Sequence, residues 1–421
     1  MKVLVVGSGA REHALAWKLK RSPEVKGLFC LPGNAGTASV ATNLPGSASD
    51  LDAIVKTAQE HAIDLVVVGP EDPLVLGLVD RLRAVGIAAF GPDKVGAQLE
   101  GSKAFSKQLM AEAGVPTAAF QIFRDADQAE AYVRAQARPL VVKADGLAAG
   151  KGVVVARDVD EAVAAIDQIM RKRAFGEAGA TVVIEETLRG QEVSYHIVSD
   201  GERYVALAPA QDHKRVGDGD SGPNTGGMGA YSPPPVVTPE VEQKILARVV
   251  EPTLNALKKR GTPFRGALFV GLMIEAGEPS VLEFNTRFGD PETEVIMARW
   301  KGDVLPLLLG SARGDLRGVE ASWSAPCALC VVIASEGYPA SYEKGRRIQG
   351  LSTVGQEAIV FHAGTRSEDG QVVTAGGRVL AITATGQTVD EAAARAYTVA
   401  QQIHFEGAHY RRDIGHHARA K

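Results

Sequence analysis

Four short apolar strands, each closed by a glycine loop, constrain the first hundred residues more than any other feature of the chain. Lys2 to Val6 reads as a buried-type strand ending in Gly7-Ser8-Gly9-Ala10-Arg11-Glu12, with a helix running on to about Lys20. Val25 to Cys30 ends in Leu31-Pro32-Gly33-Asn34-Ala35-Gly36, Asp64 to Val68 in Gly69-Pro70-Glu71, and Ile87 to Phe90 in Gly91-Pro92. Strands alternating with helical segments imply right-handed crossovers and a parallel sheet. All four loops then fall at the carboxyl edge, where such sheets bind ligands. Gly7-x-Gly9 invites a dinucleotide reading, which the chain argues against. Glu12 stands at the third glycine, and Cys30-Leu31-Pro32 replaces the ribose-binding acid. What remains is a glycine turn at a helix N-terminus with Arg11 beside it. That suits a simple phosphate, and a turn that needs glycine only for packing is the alternative.

The stretch Val281 to Glu292 carries the densest chemistry. It reads as a strand with no breaker before Gly289. Alternation puts Glu283, Asn285 and Arg287 on one face, with Leu282, Phe284 and Phe288 mostly on the other. A carboxylate next to an amide oxygen suits Mg²⁺, which takes a few protein oxygens and borrows the rest from phosphates and water. Arg287 suits a phosphate or a substrate carboxylate. A charged sheet rim is the plain alternative.

Between these regions, helix signals from Lys103 to about Ala113 end at Gly114-Val115-Pro116. Leu140 to Lys143 and Val153 to Val155 are strands joined by Asp145-Gly146-Leu147-Ala148-Ala149-Gly150-Lys151-Gly152. This is not a Walker loop: the glycine spacing is one residue short, Gly152 replaces the Ser/Thr, and no helix follows. A flexible glycine loop with Lys151 still folds over phosphates through its amides, and Lys143 reaches them from the strand. A solvated hairpin tip is the alternative. Asp158 to Arg173 is helical. Thr181 to Glu186 is a strand ending in two acids, and Gly190 to Ser194 opens another. Gln211 to Tyr231 reads as a long irregular loop, rich in glycine and both charge signs, and such loops tend to be functional. In it His213, Lys214 and Arg215 suit an anion, and Asp212 a cation or amine. Thr238 caps a helix that starts at Pro239 and runs to about Arg260. Phe264 to Ile274 leads into the Glu283 strand. Beyond it, strands at 329–334, 358–362, 372–373 and 379–384 and a helix at 389–402 form an α+β unit without a catalytic constellation, fit to pack against the nucleotide site or act as a lid.

Composition removes several classes of function. A 421-residue chain that is 45% hydrophobic and 23% charged has room for several ordinary cores. A net charge of −4 gives no basic field for nucleic acid. No apolar run reaches membrane-spanning length, and Met1-Lys2-Val3 leads directly into a strand rather than a signal peptide. The three cysteines fit a reducing cytoplasm, and Cys327-Ala-Leu-Cys330, inside an apolar strand, reads as core thiols rather than a metal pair.

Several of these motifs together resemble one family over nearly the whole chain. Arg11-Glu12-His13-Ala14, Pro32 through Thr37, Leu99 through Lys103, Lys143 through Gly152, Gln211 through Pro233 and Arg287 through Glu292 are similar to those of glycinamide ribonucleotide synthetases (phosphoribosylamine–glycine ligases), ATP-grasp enzymes of purine biosynthesis. The resemblance implies an N-terminal parallel, doubly wound α/β domain at 1–101. It implies an ATP-grasp domain at 102–318, with a glycine-flap subdomain at about 118–190, and a C-terminal α+β domain at 319–421. It implies Glu283 and Asn285 as ligands of Mg²⁺ or Mn²⁺. Lys103, Lys143, Glu185, Glu186 and Glu192 would surround ATP, with Gly146, Gly150, Lys151 and Gly152 as flap. Gly9, Arg11, Gly33, Asn34, His213, Arg215, Gly289 and Asp290 would hold glycine and 5-phosphoribosylamine, and Arg287, Asp212 and Lys214 would serve catalysis. A cytoplasmic monomer is expected. Ala10 and Glu294 depart from the family's usual residues. A nucleotide sensor without chemistry and a biotin-dependent carboxylase are the rival readings. The intact Glu283, Asn285 and Arg287 speak against the first, and the lack of a biotin-accepting lysine motif against the second.

Overall fold

A computed structural model describes residues 1–148 and 152–419. The N-terminal sheet has five parallel strands in the order Thr42–Asn43, Gly27–Pro32, Lys2–Gly7, Leu65–Val68, Ala88–Phe90. Both faces are covered. Val3, Val5, Leu65 and Val67 join the core that contains Leu15 and Leu19 of the helix Ala10–Leu19. Leu4, Val6, Val66 and Val68 pack instead with Ile54, Leu78 and Leu82 of the helices Leu51–Glu60 and Leu78–Ala84. This is why the strands read as unbroken apolar runs rather than alternating ones. Strand order reverses beside Lys2–Gly7, which puts Gly7 and Gly69 at the crevice where such sheets usually take a ligand.

Two antiparallel four-stranded sheets form the centre. One runs Tyr204–Ala206, Gln191–Asp200, Arg265–Glu275, Glu278–Asn285, and the other Phe120–Phe123, Val182–Glu186, Leu140–Ala144, Val153–Ala156. The helix Lys103–Ala113 touches both, and the chain just after it is pinned to the Glu283 strand. Val281 N donates to Pro116 O at 2.8 Å, and Thr117 Oγ1 to Val281 O at 2.6 Å.

The Glu283 strand departs from simple alternation. It ends at Asn285, and its pairing steps from Gly271–Glu283 to Leu272–Val281, leaving Leu282 as the extra residue of a bulge. Val281 and Phe284 therefore both enter the core, while Leu282 stays half-buried outside it. Arg287 lies beyond the strand, and its guanidinium still turns back to Asn285 Oδ1 at 3.3 Å.

The glycine-rich stretch is not an irregular loop. Gln211–Asp212 and Gly229–Ser232 pair with each other and are stitched into the C-terminal sheet, ordered Gln211–Asp212, Gly229–Ser232, Cys327–Ser335, Arg378–Gly386, Ile359–His362. Arg215–Gly217 and Ser221–Asn224 form a short ribbon between them. Glycine and charge density hid these strands, because their residues have low strand propensity and only pairing to Cys327–Ser335 fixes them. The C-terminal sheet carries the helix Val389–Ala400 on one side. On the other side Cys330, Val332 and Phe361 share a core with Leu15 and with Ile296 of the helix Glu292–Arg299. That eight-residue helix has seven buried residues and sits where the three parts of the chain meet. Cys30 and Cys330 are buried free thiols and Cys327 is half-buried.

Candidate functional site

Glu283 lies where the two antiparallel sheets approach. Burial would raise its carboxyl, but Lys214, Lys103, Lys143 and Arg287 outweigh that and hold it below its ordinary value. No described residue donates a hydrogen bond to it. Opposite, the strand Val182–Glu186 presents Glu185, whose Oε2 receives Lys107 Nζ at 2.9 Å and Lys143 Nζ at 3.0 Å, while its buried Oε1 has no partner. Lys143 Nζ also donates to Leu282 O at 3.0 Å, the carbonyl that the bulge leaves out of regular pairing. Burial lowers Lys107 to about 8, against the raising effect of Glu185 and with Lys143 adding to the fall. Lys107 was not singled out in the sequence. Its signal is its position one helical turn after Lys103.

A second cluster surrounds Lys214. Residues 212 and 214 share one face and 213 and 215 the other. Lys214 pairs with Glu192 and feels Asp212 and Glu283. Asp212 is pushed well above the carboxylate range by burial and then, against the pull of Lys214, by Glu292, Glu192 and Glu283. Glu292 Oε1 accepts from Ser194 Oγ at 2.6 Å. Four carboxylates on one lysine leave an excess of negative charge and free oxygens, a donor set that fits a hard divalent cation. Glu283 fits that role without rearrangement. Asn285 offers its Oδ1 to Arg287, with its buried Nδ2 unpaired, so it would ligate through an oxygen now shared with the guanidinium.

Several expected site residues are committed elsewhere. Arg287 is not open to a phosphate: it is held by Glu71 at 3.1 Å, Glu100 at 2.9 Å and Phe288 O at 3.3 Å. Burial would raise Glu71, but Arg287 and Arg11 bring it down to about 2. Burial keeps Glu100 raised despite Arg287. Glu71 and Glu100 were missed as site residues, although each lies in a motif visible in the sequence. The phosphate reading of Gly7-x-Gly9 also fails. Glu12 Oε2 accepts from Gly9 N at 2.6 Å as the reciprocal half of the helix cap, and its carboxylate fills the crevice beside Gly7 and Gly69. Gly7 has φ +126°, and a Cβ there would lie 2.6 Å from Glu12. Arg11 pairs with Glu12 at 2.5 Å and donates to Phe288 O at 3.1 Å.

Gly33 has φ +72°. Asn34 uses its whole side chain internally: Oδ1 accepts from Gly36 N and Thr37 N, and Nδ2 donates to Ser8 O at 2.9 Å and His362 O at 2.7 Å. Gly289 N donates to His196 Nε2, and Asp290 Oδ1 meets Arg378 at 3.1 Å. Arg378, on the C-terminal sheet, also donates to Gly226 O at 2.7 Å and so holds the glycine-rich stretch in place. His213 turns away, accepting from Gly415 N at 2.9 Å, and exposed Arg215 donates to Gly222 O within its own ribbon. Glu186 alternates outward from Glu185 and pairs with Arg138 at 2.6 Å.

At the start of the flap, Lys103 Nζ reaches Gly146 O at 3.2 Å, and Asp145 accepts from Ser102 Oγ and Ala104 N. Gly146 has φ +121°, and a Cβ on Gly152 would press on Ala148 at 2.6 Å. Gly150 and Lys151 lie outside the described residues. Ala10 is helical, so alanine costs nothing there. Glu294 is fully buried with both oxygens unpartnered, and its carboxyl is raised well above the ordinary range by burial and by Asp290.

Comparison with known proteins gives one consistent result. The chain matches family profiles described as phosphoribosylglycinamide synthetase N domain at residues 1–100, ATP-grasp (A) domain at 101–293 and C domain at 328–417. It is 53% identical to a phosphoribosylamine–glycine ligase of Agrobacterium fabrum, over 100% of this chain and 99% of that one. It is 51% identical to one of Vibrio cholerae with the same coverage. Among solved structures, a phosphoribosylamine–glycine ligase of Thermotoga maritima superposes with TM-score 0.88 at 35% identity, covering 99% of this chain and all of that one. The biotin carboxylase domain of a Hydrogenobacter thermophilus 2-oxoglutarate carboxylase, in complex with MgADP, shares the fold at TM-score 0.77 and 17% identity, covering 97% and 91%.

Proposed function

Since the chain belongs to the phosphoribosylglycinamide synthetase family, we propose that the acid- and lysine-lined cleft between its two antiparallel sheets is where ATP meets glycine. The protein is a carbon–nitrogen ligase of purine biosynthesis. It joins glycine to 5-phosphoribosylamine and yields glycinamide ribonucleotide, ADP and phosphate. The observation that carries the assignment of the site is Glu283: a half-buried carboxylate held below its ordinary value by four cations, with no hydrogen-bond donor among the described residues.

In this reading Glu283, with Asn285 after release from Arg287, holds Mg²⁺ or Mn²⁺. The bound ion supplies charge neutralisation at the phosphates. Lys143 and Lys103 sit on either side of the flap's base and orient the terminal phosphates, and residues 146–152 close over them. The γ-phosphoryl group passes to a glycine carboxylate oxygen, giving ADP and glycyl phosphate. The phosphoribosylamine nitrogen attacks the carbonyl carbon, the carbon–oxygen bond to phosphate breaks, and the nitrogen gives up one proton. Asp212, whose buried acidic surroundings raise its proton affinity, is the group suited to take that proton. Lys214 keeps the surrounding carboxylates from repelling the substrate's own. Arg287, Arg11, Asn34 and Asp290 act by fixing the walls of the site rather than by touching phosphate. The chain works as a cytoplasmic monomer in this reading, and among the described residues no helix is long and apolar enough to cross a membrane.

The test is isotopic. Glycine labelled with heavy oxygen in its carboxylate delivers one labelled oxygen to inorganic phosphate, with ADP as the nucleotide product. Unlabelled phosphate, or AMP with pyrophosphate, refutes the mechanism.

A further inference from the structure

Away from the cleft, the Asp218-Gly219-Asp220 turn of the short ribbon meets the C-terminal segment 411–417 at a cluster of imidazoles. We propose that Asp220, His416 and His417 form a binding site for a divalent transition-metal ion of the zinc class, which clips the ribbon to the C-terminal segment. The argument rests on where the lone pairs point. His416 Nδ1 lies 3.1 Å from Asp413 O, a carbonyl that only accepts, so Nδ1 carries the proton and Nε2 has a free lone pair. That Nε2 faces Asp220 Oδ2 at 3.5 Å, and His417 Nε2 faces the same oxygen at 3.8 Å. These separations exceed a hydrogen bond. With metal–ligand bonds of about 2.1 Å, neighbouring donors of a tetrahedral zinc site lie about 3.4 Å apart, close to the two carboxylate–imidazole separations.

The surroundings are those of a braced site. Asp220 Oδ1 is held by buried Arg411 at 2.8 Å, which leaves Oδ2 for the ion. Arg411 also fixes Asp413 at 2.8 Å, and the Asp413 carbonyl orients His416, as a backbone oxygen commonly does behind a metal-bound imidazole. His213 approaches within the same group: its ligand atom lies within 4.8 Å of those of Asp220 and His416. It is excluded as a ligand, because Gly415 N donates to its Nε2 and a metal on Nδ1 would leave the ring without a proton. It stands as a neutral wall, its protonated form disfavoured by burial. Water completes the coordination on the open side, where His416 and His417 are about one-third exposed. Imidazole nitrogens select a zinc-class ion, whereas the all-oxygen set around Glu283 selects magnesium, so the two sites sort different metals.

The experiment uses the untagged full-length chain, dialysed in excess Mg²⁺ against buffered Zn²⁺, with bound metal measured by mass spectrometry. One Zn²⁺ per chain is expected. Co²⁺ replaces it with the visible absorption of a four-coordinate ion, lost when protons displace the metal on acidification. Hydrogen exchange across residues 215–224 slows when Zn²⁺ is added. His416→Asn and His417→Asn each weaken binding by about tenfold or more, and the double substitution abolishes it. A chain that retains no Zn²⁺ up to millimolar concentration overturns the proposal, as does unchanged affinity in the double variant. Should the variants fold poorly, the Co²⁺ spectrum of the intact chain decides: octahedral Co²⁺, or none, counts against the site.

Discussion

Replacing Glu185 with glutamine tests how the two lysines of the cleft are held. Glu185 is 3% exposed, and one of its oxygens serves both Lys107 and Lys143. In the intact protein burial already brings Lys107 from 10.5 to about 8, an imbalance on the order of 3 kcal/mol between its charged and neutral forms. Glutamine keeps the shape but removes the charge that opposes this fall. Two buried ammonium groups then face each other without an anion, and breaking such a pairing costs about 3–5 kcal/mol. Lys107 can escape only by losing its proton. A group whose folded value lies below its unfolded one binds fewer protons when folded, so the folded state gains stability as pH climbs from the folded towards the unfolded value. In Glu185→Gln that gain starts below pH 8 instead of near it. At pH 7 the calorimetric transition of the central sheets should therefore fall by roughly 6–20 °C, at about 2–4 °C per kcal/mol for a domain of this size. At pH 9.5, where Lys107 is largely neutral in both proteins, the difference should shrink by about half or more. A fall under ~2 °C at pH 7, or an equal fall at both pH values, would refute the charge argument.

Glu283→Gln should lower turnover by about three decades or more while the melting temperature stays within ~2 °C of the parent, because the Glu283 carboxylate accepts no hydrogen bond from the described residues; near-parental kcat at low Mg²⁺ would count against the metal assignment. Peptides covering residues 145–152 should exchange hydrogen quickly alone and become protected on addition of an ATP analogue, and equal exchange in both states would favour a plain hairpin tip. Asn34→Ala breaks bonds to Ser8 O, His362 O, Gly36 N and Thr37 N, so it should cost about 2–3 kcal/mol and raise KM for phosphoribosylamine more than it lowers kcat. An unchanged melting temperature would show that the loop is held by other contacts.

The fold was legible where local chemistry suffices. The four apolar strands with glycine ends gave the parallel sheet, and Ser102, Asp158 and Thr238 sit as helix caps where their side chains suggest. What could not be read locally depends on distant partners. The bulge at Leu282 takes that carbonyl out of regular pairing and leaves it to Lys143, and nothing in Val281-Leu282-Glu283 marks it. The strands inside the glycine-rich stretch exist because Cys327–Ser335, a hundred residues further on, pairs with Gly229–Ser232. In the site, Glu283, Lys143, Glu185 and Lys214 lie near one another; residue type and strand position pointed to Glu283 and Lys143, whereas Glu185 and the catalytic role of Lys214 came only from the family resemblance. Arg287 on its strand and Arg11 in its glycine turn were read as anion-binding, and Asn34 by resemblance as substrate-binding, because a guanidinium or amide looks free until its internal partners are known.

Those internal partners change what the most recognisable motif does. Arg287 is held by Glu71 and Glu100 from the N-terminal third of the chain, Asp290 by Arg378 from the C-terminal third, and Glu292 by Ser194 from the middle. Each of these pairs is largely buried, and a buried charge deprived of its partner costs several kcal/mol. The three thirds therefore cannot separate at residues 287–292 without exposing or orphaning charge, and the geometry of Glu283, a few residues upstream, is fixed by contacts from all of them. Motion needed to admit substrates must come from elsewhere. In the proposed reading the small sheet carrying the flap meets this demand; among the described residues, Lys103 with Gly146 O and Asp145 with the start of the Lys103–Ala113 helix hold the beginning of its loop. An acidic floor built by three chain regions, with the proposed flap closing over it, would suit a reaction in which both phosphoryl transfer and amine attack require water to be kept out between steps.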